Sequence, residues 1–541
     1  MPGRPARVGG RSTLGLAPPT TLPAPGATPK VMTPFATFAL LYMTAIFLEL
    51  GEGWRHPVFT ATILGLIIVL VLTRITRVTF LVFLAVANAH FLVVQFPDVA
   101  NHVNLLIYCN TLMIVGIVHS LVGAGAVRSD DDWFESTRPV LQVTMMLVYV
   151  LAGFHKLNGD FVDPAVSCVA STVRHLWRAA RSDILGIPTS VILAGGIAAA
   201  AYWLLASSPL RRHLRLIQAG AVAAVLGAAL FAALPLGDGP PARVPLVLAL
   251  VMVILAWELA GGLLLAVPRL QLPVLAFSWA MHASLALVGF VDFGALALAL
   301  LFAFVPHAYA TLMGEPLPVR AGNRPAYRPH LYLALALVVS ALGLRSRLAS
   351  GILFNAAALV LIWPMLSALV GRTPRPAWAG VRITSRSTPR WLFLFPVVLV
   401  LHASTSYVGL RTAGNFSMFS NLRTEGGRSN HFLLGGLPLK LWGYQEDVVR
   451  VISIDDRAAR IGYQYHRLQG NLLPVVEFRK LIYQWTRAGR TVPLTFEYRG
   501  VVHSTADIVN DPAWRTPTRD AEMRLLDFRV IQPEGPNRCR W

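Results

Sequence analysis

The sequence predicts an all-α polytopic membrane helical bundle of about thirteen spans with a small C-terminal α+β extramembrane domain. Three observations lead there. Of 541 residues, 55% are hydrophobic and only 14% charged, whereas an average soluble chain carries about 25% charged residues. Apolar runs near the ~20 residues needed to cross a hydrocarbon core recur as far as residue 408. Beyond Gly409 the long runs stop, and short alternating stretches replace them.

The first thirty residues are rich in Pro, Ala, Gly and Thr, carry Arg4, Arg7, Arg11 and Lys30, and contain no acid. This composition predicts a disordered basic tail (1–30). A secretory signal would place its apolar core nearer the start, so the first apolar run reads as a retained span. Spans are expected at 31–50, 57–73, 78–96, 103–123, 138–155, 189–206, 214–235, 244–267, 271–291, 293–313, 330–344, 350–370 and 391–408. The run at 330–344 is the shortest and has a re-entrant alternative.

The net charge of +20 sits mainly in connectors between apolar runs, with no single basic patch interleaved with aromatics. Nucleic acid is therefore not an expected partner; the lipid bilayer is. With the N-terminus cytoplasmic, roughly twenty basic residues fall inside against about eight outside, including Arg74, Arg77, Arg211, Arg212, Arg320 and Arg372 among the inner ones. The tail at 409–541 is then extracytoplasmic. Its runs Val448 to Ile454, Val492 to Tyr498 and Arg524 to Ile531 read as strands, with a helix from Leu473 to Ala488 between them.

The chain has three cysteines. This topology puts Cys168 and Cys539 in the same outer compartment, where a disulfide can persist, although two unrelated thiols satisfy the sequence equally. Cys109 lies inside a span and reads as packing.

Ionisable side chains inside the apolar runs are few: His102 opens the fourth span, His155 and Lys156 close the fifth, Glu258 lies within LAWELAGGLLL and His282 within FSWAMHASLAL. Each is costly in lipid unless paired, near the interface or functional. Bland readings exist for all of them: a lysine that snorkels to the interface, histidines bonded to backbone carbonyls, a carboxylate linking two helices. The functional reading has His102, Lys156, Glu258 and His282 lining one cavity open to the outer side. A polar segment, GLRTAGNFSMFSNLRTEGGRSNHFLL at 409–434, offers a lid or substrate-binding loop above it, with Asn421, Arg423 and Asn430 as substrate contacts. The alternative is a polar connector satisfied by its own turns.

No HExxH, paired CxxC or Walker-type glycine loop occurs, so zinc proteolysis and nucleotide hydrolysis lack their minimum residues, and no metal is expected. LVGAGAV at 121–127 reads as small-residue helix packing, and the stretch with Arg174, Arg178 and Arg181 as an interfacial amphipathic helix.

The string YVLAGFHKLNGDFVDP around Lys156 resembles the signature of the HTTM domain family, which includes the vitamin K-dependent gamma-glutamyl carboxylases. PDVANHVNLLIY, ELAGGLLLAVPRLQLPVLAF and WAMHASLALVGFVDFGALALALL resemble further family segments in the same order, so the likeness covers 31–316 and leaves 317–408 as additional helices. The large luminal β-rich portion of the carboxylases has no counterpart in a tail of this length. The resemblance implies a site for a reduced quinone, a vitamin K-like hydroquinone. Lys156 would be the base, His102 and His282 would stabilise the reacting oxygens, and Glu258 and His155 would contact the quinone. The resemblance does not carry over the carboxylases' substrate half; a protein or peptide substrate at the outer face is a separate expectation. A lysine in water is a poor base at neutral pH, and burial makes it a better one by penalising its charged form. The competing class is a non-catalytic transporter or scaffold that keeps the helical core as architecture.

Overall fold

The computed structural model describes residues 32–51, 56–96, 100–123, 129–184, 187–206, 244–305, 307–321, 324–369, 388–435, 440–455, 468–514 and 525–539, together with Leu226 and Glu522. The helices are α1 (Pro34–Gly51), α2 (Pro57–Leu72), α3 (Arg77–His90), α4 (Asn101–Val122), α5 (Asp130–His155), α6 (Gly159–Val162), α7 (Cys168–Arg181) and α8 (Thr189–Ala206). There follow α9 (Val244–Ala256), α10 (Gln271–Leu285), α11 (Val291–Leu301), α12 (His307–Gly314), α13 (Arg328–Gly343), α14 (Arg347–Leu369), α15 (Leu394–Ala403), α16 (Thr405–Val408) and α17 (Val475–Arg487). Short antiparallel ribbons, β1 (Asp183–Ile184) with β2 (Ile187–Pro188) and β3 (Pro316–Ala321) with β4 (Arg324–Tyr327), link some of them.

Among the described residues, six helical segments are long and apolar enough to cross a membrane: Arg77–Gln95, Asn101–Val122, Asp130–His155, Val244–Leu264, Gln271–Val288 and Arg347–Ser367. Six other expected spans are apolar helices of 10–17 residues, and the expected span at 214–235 lies outside the described residues apart from Leu226. The expected single span at 293–313 is two pieces, because the chain leaves α11 through a 3₁₀ turn, Phe302–Phe304, before α12 begins.

The fifth span begins eight residues before the expected position of 138, in the acidic run Asp130–Asp131–Asp132. Those acids look wrong for a membrane helix but right for a helix start, where free N–H groups and the dipole favour negative charge. Ser129 and Asp132 close a reciprocal capping box. Asp131 Oδ1 accepts from the Phe35 N–H of α1 at 2.9 Å, and Asp130 Oδ1 accepts from the Arg77 N–H of α3 at 3.2 Å. One turn thus ties three helix starts together. Further along α5, Arg138 Nε and Gln142 Nε2 donate to the Ala303 carbonyl at 2.6 and 2.8 Å, which satisfies an acceptor left over where the α11 segment ends.

The tail folds as an antiparallel sheet in the order β6 (Leu472–Pro474), β5 (Val448–Ile454), β7 (Leu494–Tyr498), β8 (Val501–Thr505). The helix α17 lays Phe478, Leu481, Ile482 and Trp485 on it, against Phe496 and Trp514. The expected strand Arg524 to Ile531 is not one. Its described part is irregular apart from an isolated bridge, Ile531 to Leu472, and the sheet's other two strands are Leu472–Pro474, where the expected helix was to begin, and Val501–Thr505. The irregular course lets this segment serve a buried ionic cluster. Asp527 meets Arg411 at 3.1 Å and Lys480 at 3.5 Å, Glu477 meets Lys480 at 3.3 Å, and Glu477 Oε2 accepts from the Phe528 N–H at 3.1 Å. Cys168 and Cys539 are disulfide-bonded, which pins the chain's end beside α7.

Because the Asp527 side chain is fully buried between two cations, Asp527→Ala takes the carboxylate away from Arg411, leaves Lys480 with Glu477, and is expected to cost about 3–5 kcal/mol. Chemical denaturation followed by tryptophan fluorescence measures it. A loss below about 1 kcal/mol would show that the cluster does not hold the tail to the helices.

Candidate functional site

The string His155-Lys156-Leu157-Asn158-Gly159-Asp160 ends α5 and spreads its polar groups in several directions. Lys156 is the C-cap residue and is 2% exposed. Its Nζ lies 2.8 and 3.0 Å from the two Glu258 oxygens and 3.4 Å from the Ala152 carbonyl, with the Phe161 ring 5.9 Å away. The snorkelling alternative is thereby replaced: the lysine turns inward to a carboxylate.

The backbone permits this approach. Glu258 lies in a π-helical turn, Trp257–Gly261, that continues α9, and such turns recur at functional sites. Gly153 faces it; a Cβ there would come within 3.0 Å of Glu258 Cβ and of the Leu259 backbone nitrogen. From the other side, a Cβ on Gly262 would meet Tyr149 Cβ at 2.9 Å and the Met146 carbonyl at 3.0 Å. Two glycines on facing helices let the backbones close to the separation that the ion pair needs.

Tyr149, two turns before Lys156, has its hydroxyl 2.7 Å from His282 Nε2, and its ring packs edge-on to Trp257. His282 Nδ1 is buried without a hydrogen-bond partner among the described residues. His282 also packs edge-on to Phe293, 5.1 Å between centroids, and His102 lies on that phenyl ring at 6.0 Å. His102 Nε2 is 2.9 Å from Glu49 Oε2 and 3.0 Å from Asp292 Oδ2. The expected grouping of Lys156, His102 and His282 is therefore resolved into three centres. Lys156 pairs with Glu258, His282 with Tyr149 and His102 with two carboxylates, Tyr149 and Phe293 standing between them.

His155 faces away from Lys156. Its Nδ1 is 2.7 Å from the Tyr407 hydroxyl and its ring stacks on that tyrosine. Asn158 caps α6 by accepting from the Phe161 N–H at 2.9 Å, and donates to the carbonyls of His155 and Ser420.

The 409–434 loop covers this end of the helices. Asn101 Oδ1 accepts from the Phe416 N–H at 2.6 Å and Asn104 donates to the Gly414 carbonyl at 2.8 Å, so residues flanking His102 reach up to it. Three of its non-glycine residues, Phe416, Phe419 and Asn421, have positive φ, a conformation that persists only where surrounding contacts enforce it. Of the expected substrate contacts, Asn421 accepts from Cys168 N–H and donates to the carbonyls of Val166 and Asn537. Asn430 donates to Asp160 at 2.7 Å and to the Asn421 carbonyl at 2.9 Å, and buried Arg423 lies 3.5 Å from the Glu425 carbonyl. These side chains hold the loop in place.

Tyr149, Glu49 and Asp292 were missed in the sequence. Tyr149 shares a helical face with Lys156 at a spacing of seven, and Glu49 is the sole acid in its apolar run, signals that were present. Asp292 sat at an expected loop between spans and so resembled an ordinary connector acid.

The fold and site define a class: an α-helical membrane protein with buried ionic centres at one end of its helices, capped by a small α+β domain. No protein-family model, curated protein or solved structure matches the chain.

Two expectations follow. Gly153→Val drives a branched side chain into the π-helical turn and should cost about 1–3 kcal/mol, read as a lowered Tm in detergent; an unchanged Tm would deny the close helix approach. His431 Nδ1 accepts from the N–H groups of Leu433 and Leu434, while Nε2 lies 2.9 Å from the Phe154 carbonyl, an arrangement that requires the neutral ring. Burial holds its pKa below the ordinary value, the Phe154 contact opposing this. The folded form thus binds the proton less readily than the unfolded one, so this stability is present above the unfolded pKa of about 6.5 and falls away as pH drops below it. Hydrogen exchange at 431–434 should accelerate between about pH 7 and pH 5 after correction for intrinsic rates, and His431→Gln should remove the dependence.

Proposed function

We propose that this chain is an HTTM-type, multi-pass membrane enzyme that binds a reduced quinone-like lipid beside Lys156 and uses that lysine to take a hydroxyl proton. The observation that carries the reading is the buried Lys156–Glu258 pair, 2.8 Å apart, whose glutamate follows α9, a helix with exposed Met252 and Val253. A lipid-soluble molecule reaches such a place from the bilayer. The resemblance around YVLAGFHKLNGD supports the same lysine.

The pair has the right charge logic for a base. Ammonium with carboxylate, and amine with carboxylic acid, both carry zero net charge, so moving the proton from Nζ to Glu258 leaves no uncompensated ion in the apolar surroundings. Lys156 as the free amine then takes the hydroxyl proton: an N–H bond forms, the O–H bond breaks, and the electron pair stays on the oxygen. The resulting ammonium stands beside that oxygen and stabilises it. Tyr149, Trp257, Phe277 and Phe161 supply aromatic surface nearby, and His282 Nδ1, without a hydrogen-bond partner among the described residues, is a group that a bound hydroxyl satisfies. When bound, a reduced quinone supplies the acidic hydroxyl and the reducing electrons. Cytoplasmic placement of the N-terminus, about thirteen spans and an extracytoplasmic tail belong to the same proposal. The Cys168–Cys539 bridge supports the tail's placement in an oxidising compartment.

Lipid mass spectrometry of the purified protein tests binding, and consumption of an added hydroquinone tests chemistry. A quinone should co-purify with the wild type. Lys156→Arg should keep the fold and lower the rate about 10²–10⁴-fold, since a guanidinium is not a base near neutral pH. A wild type that neither retains nor binds quinone would sink the proposal. An active protein indifferent to Lys156→Arg would remove the lysine's role and leave a scaffold function for the pair.

A further inference from the structure

We infer that Glu49, His102 and Asp292 form a binding site for one first-row divalent metal ion, separate from Lys156 and independent of the proposed quinone chemistry. The three donors come from three helices, the end of α1, the start of α4 and the first turn of α11. Their ligand atoms all lie within 4.8 Å of one another.

Geometry is the first argument. His102 Nε2 stands 2.9 Å from Glu49 Oε2 and 3.0 Å from Asp292 Oδ2. Ligands at right angles on an ion with bonds of about 2.1 Å are about 3.0 Å apart. A neutral or protonated imidazole has only one hydrogen at Nε2, so it cannot point fully at both carboxylates. One ion in front of all three atoms serves them together.

Charge is the second. Two carboxylates face one imidazole here, and two carboxylates, a neutral imidazole and a divalent ion sum to zero. Asp292 is held in a suitable orientation, since its Oδ1 accepts from the Phe293 N–H at 2.7 Å, which turns Oδ2 toward His102. The loop above is anchored by Asn101 and Asn104 on either side of His102, so the site is covered from the solvent end. One nitrogen and two carboxylate donors suit Mn(II), Fe(II) or Zn(II), with open positions left for water.

The competing arrangement replaces the metal with a proton shared by the two carboxylates, which are close enough to hydrogen-bond each other. The full chain, purified in detergent without chelator, distinguishes the two by elemental analysis after equilibration with Mn(II) or Zn(II) and gel filtration. About one ion per chain is expected in the wild type and less than about 0.1 in Asp292→Asn and Glu49→Gln, isosteric changes on different helices. Added Mn(II) should raise the wild-type Tm and not that of either variant. Wild type without bound ion, or variants that bind as much ion as the wild type, would overturn the site. So would an ion-free wild type whose Tm rises in Asp292→Asn, which is the signature of two carboxylates competing for one proton.

Discussion

An apolar helical assembly has nowhere to put an unpaired charge, and the Lys156–Glu258 ion pair shows how this chain meets that constraint. The pair forms because Gly153 and Gly262 remove the side chains that would hold α5 away from the π-helical turn. With the helices closed there, Tyr149 comes against Trp257 and reaches His282. The aromatic neighbours, the buried imidazole and the position of the loop above depend on that approach.

The same constraint operates at the opposite end of α5. Asp130, Asp131 and Asp132 are spent on helix N-termini, their own and those of α1 and α3. Fixing three helix starts in one turn sets the alignment of those helices, and α5 carries it along its 26 residues to Lys156. The loop at 409–434 is secured in a similar way from the solvent side: its amides and carbonyls are taken up by Asn101, Asn104, Asn158 and Asn430. A segment with left-handed Phe416 and Phe419 is held in place by these bonds rather than by its own preference.

The two centres answer the cost of charge differently. At Lys156 one cation faces one carboxylate, so the opposite charges are equal in number. At His102 two carboxylates face one imidazole. Phe293 separates His102 from His282, so the centres share a wall while each keeps its own polar partners.

Much of this was legible in the residues. Long apolar runs located the helices: most expected runs are helical to within a few residues, and among the described residues six segments are long and apolar enough to cross a membrane. The cost of charge in such runs singled out Lys156, Glu258, His102 and His282, and common sidedness pointed to Cys168 with Cys539. Tertiary structure alone decided the partners. Which carboxylate meets Lys156 depends on how closely two helices pack, and spacing along one chain does not carry that distance. Asp130 and Asp292 looked like loop acids because their value lies in capping amides and in facing a histidine from another helix. Arg524 to Ile531 alternates like a strand, yet its partners are a buried ionic cluster, and long-range contacts overrode local pattern.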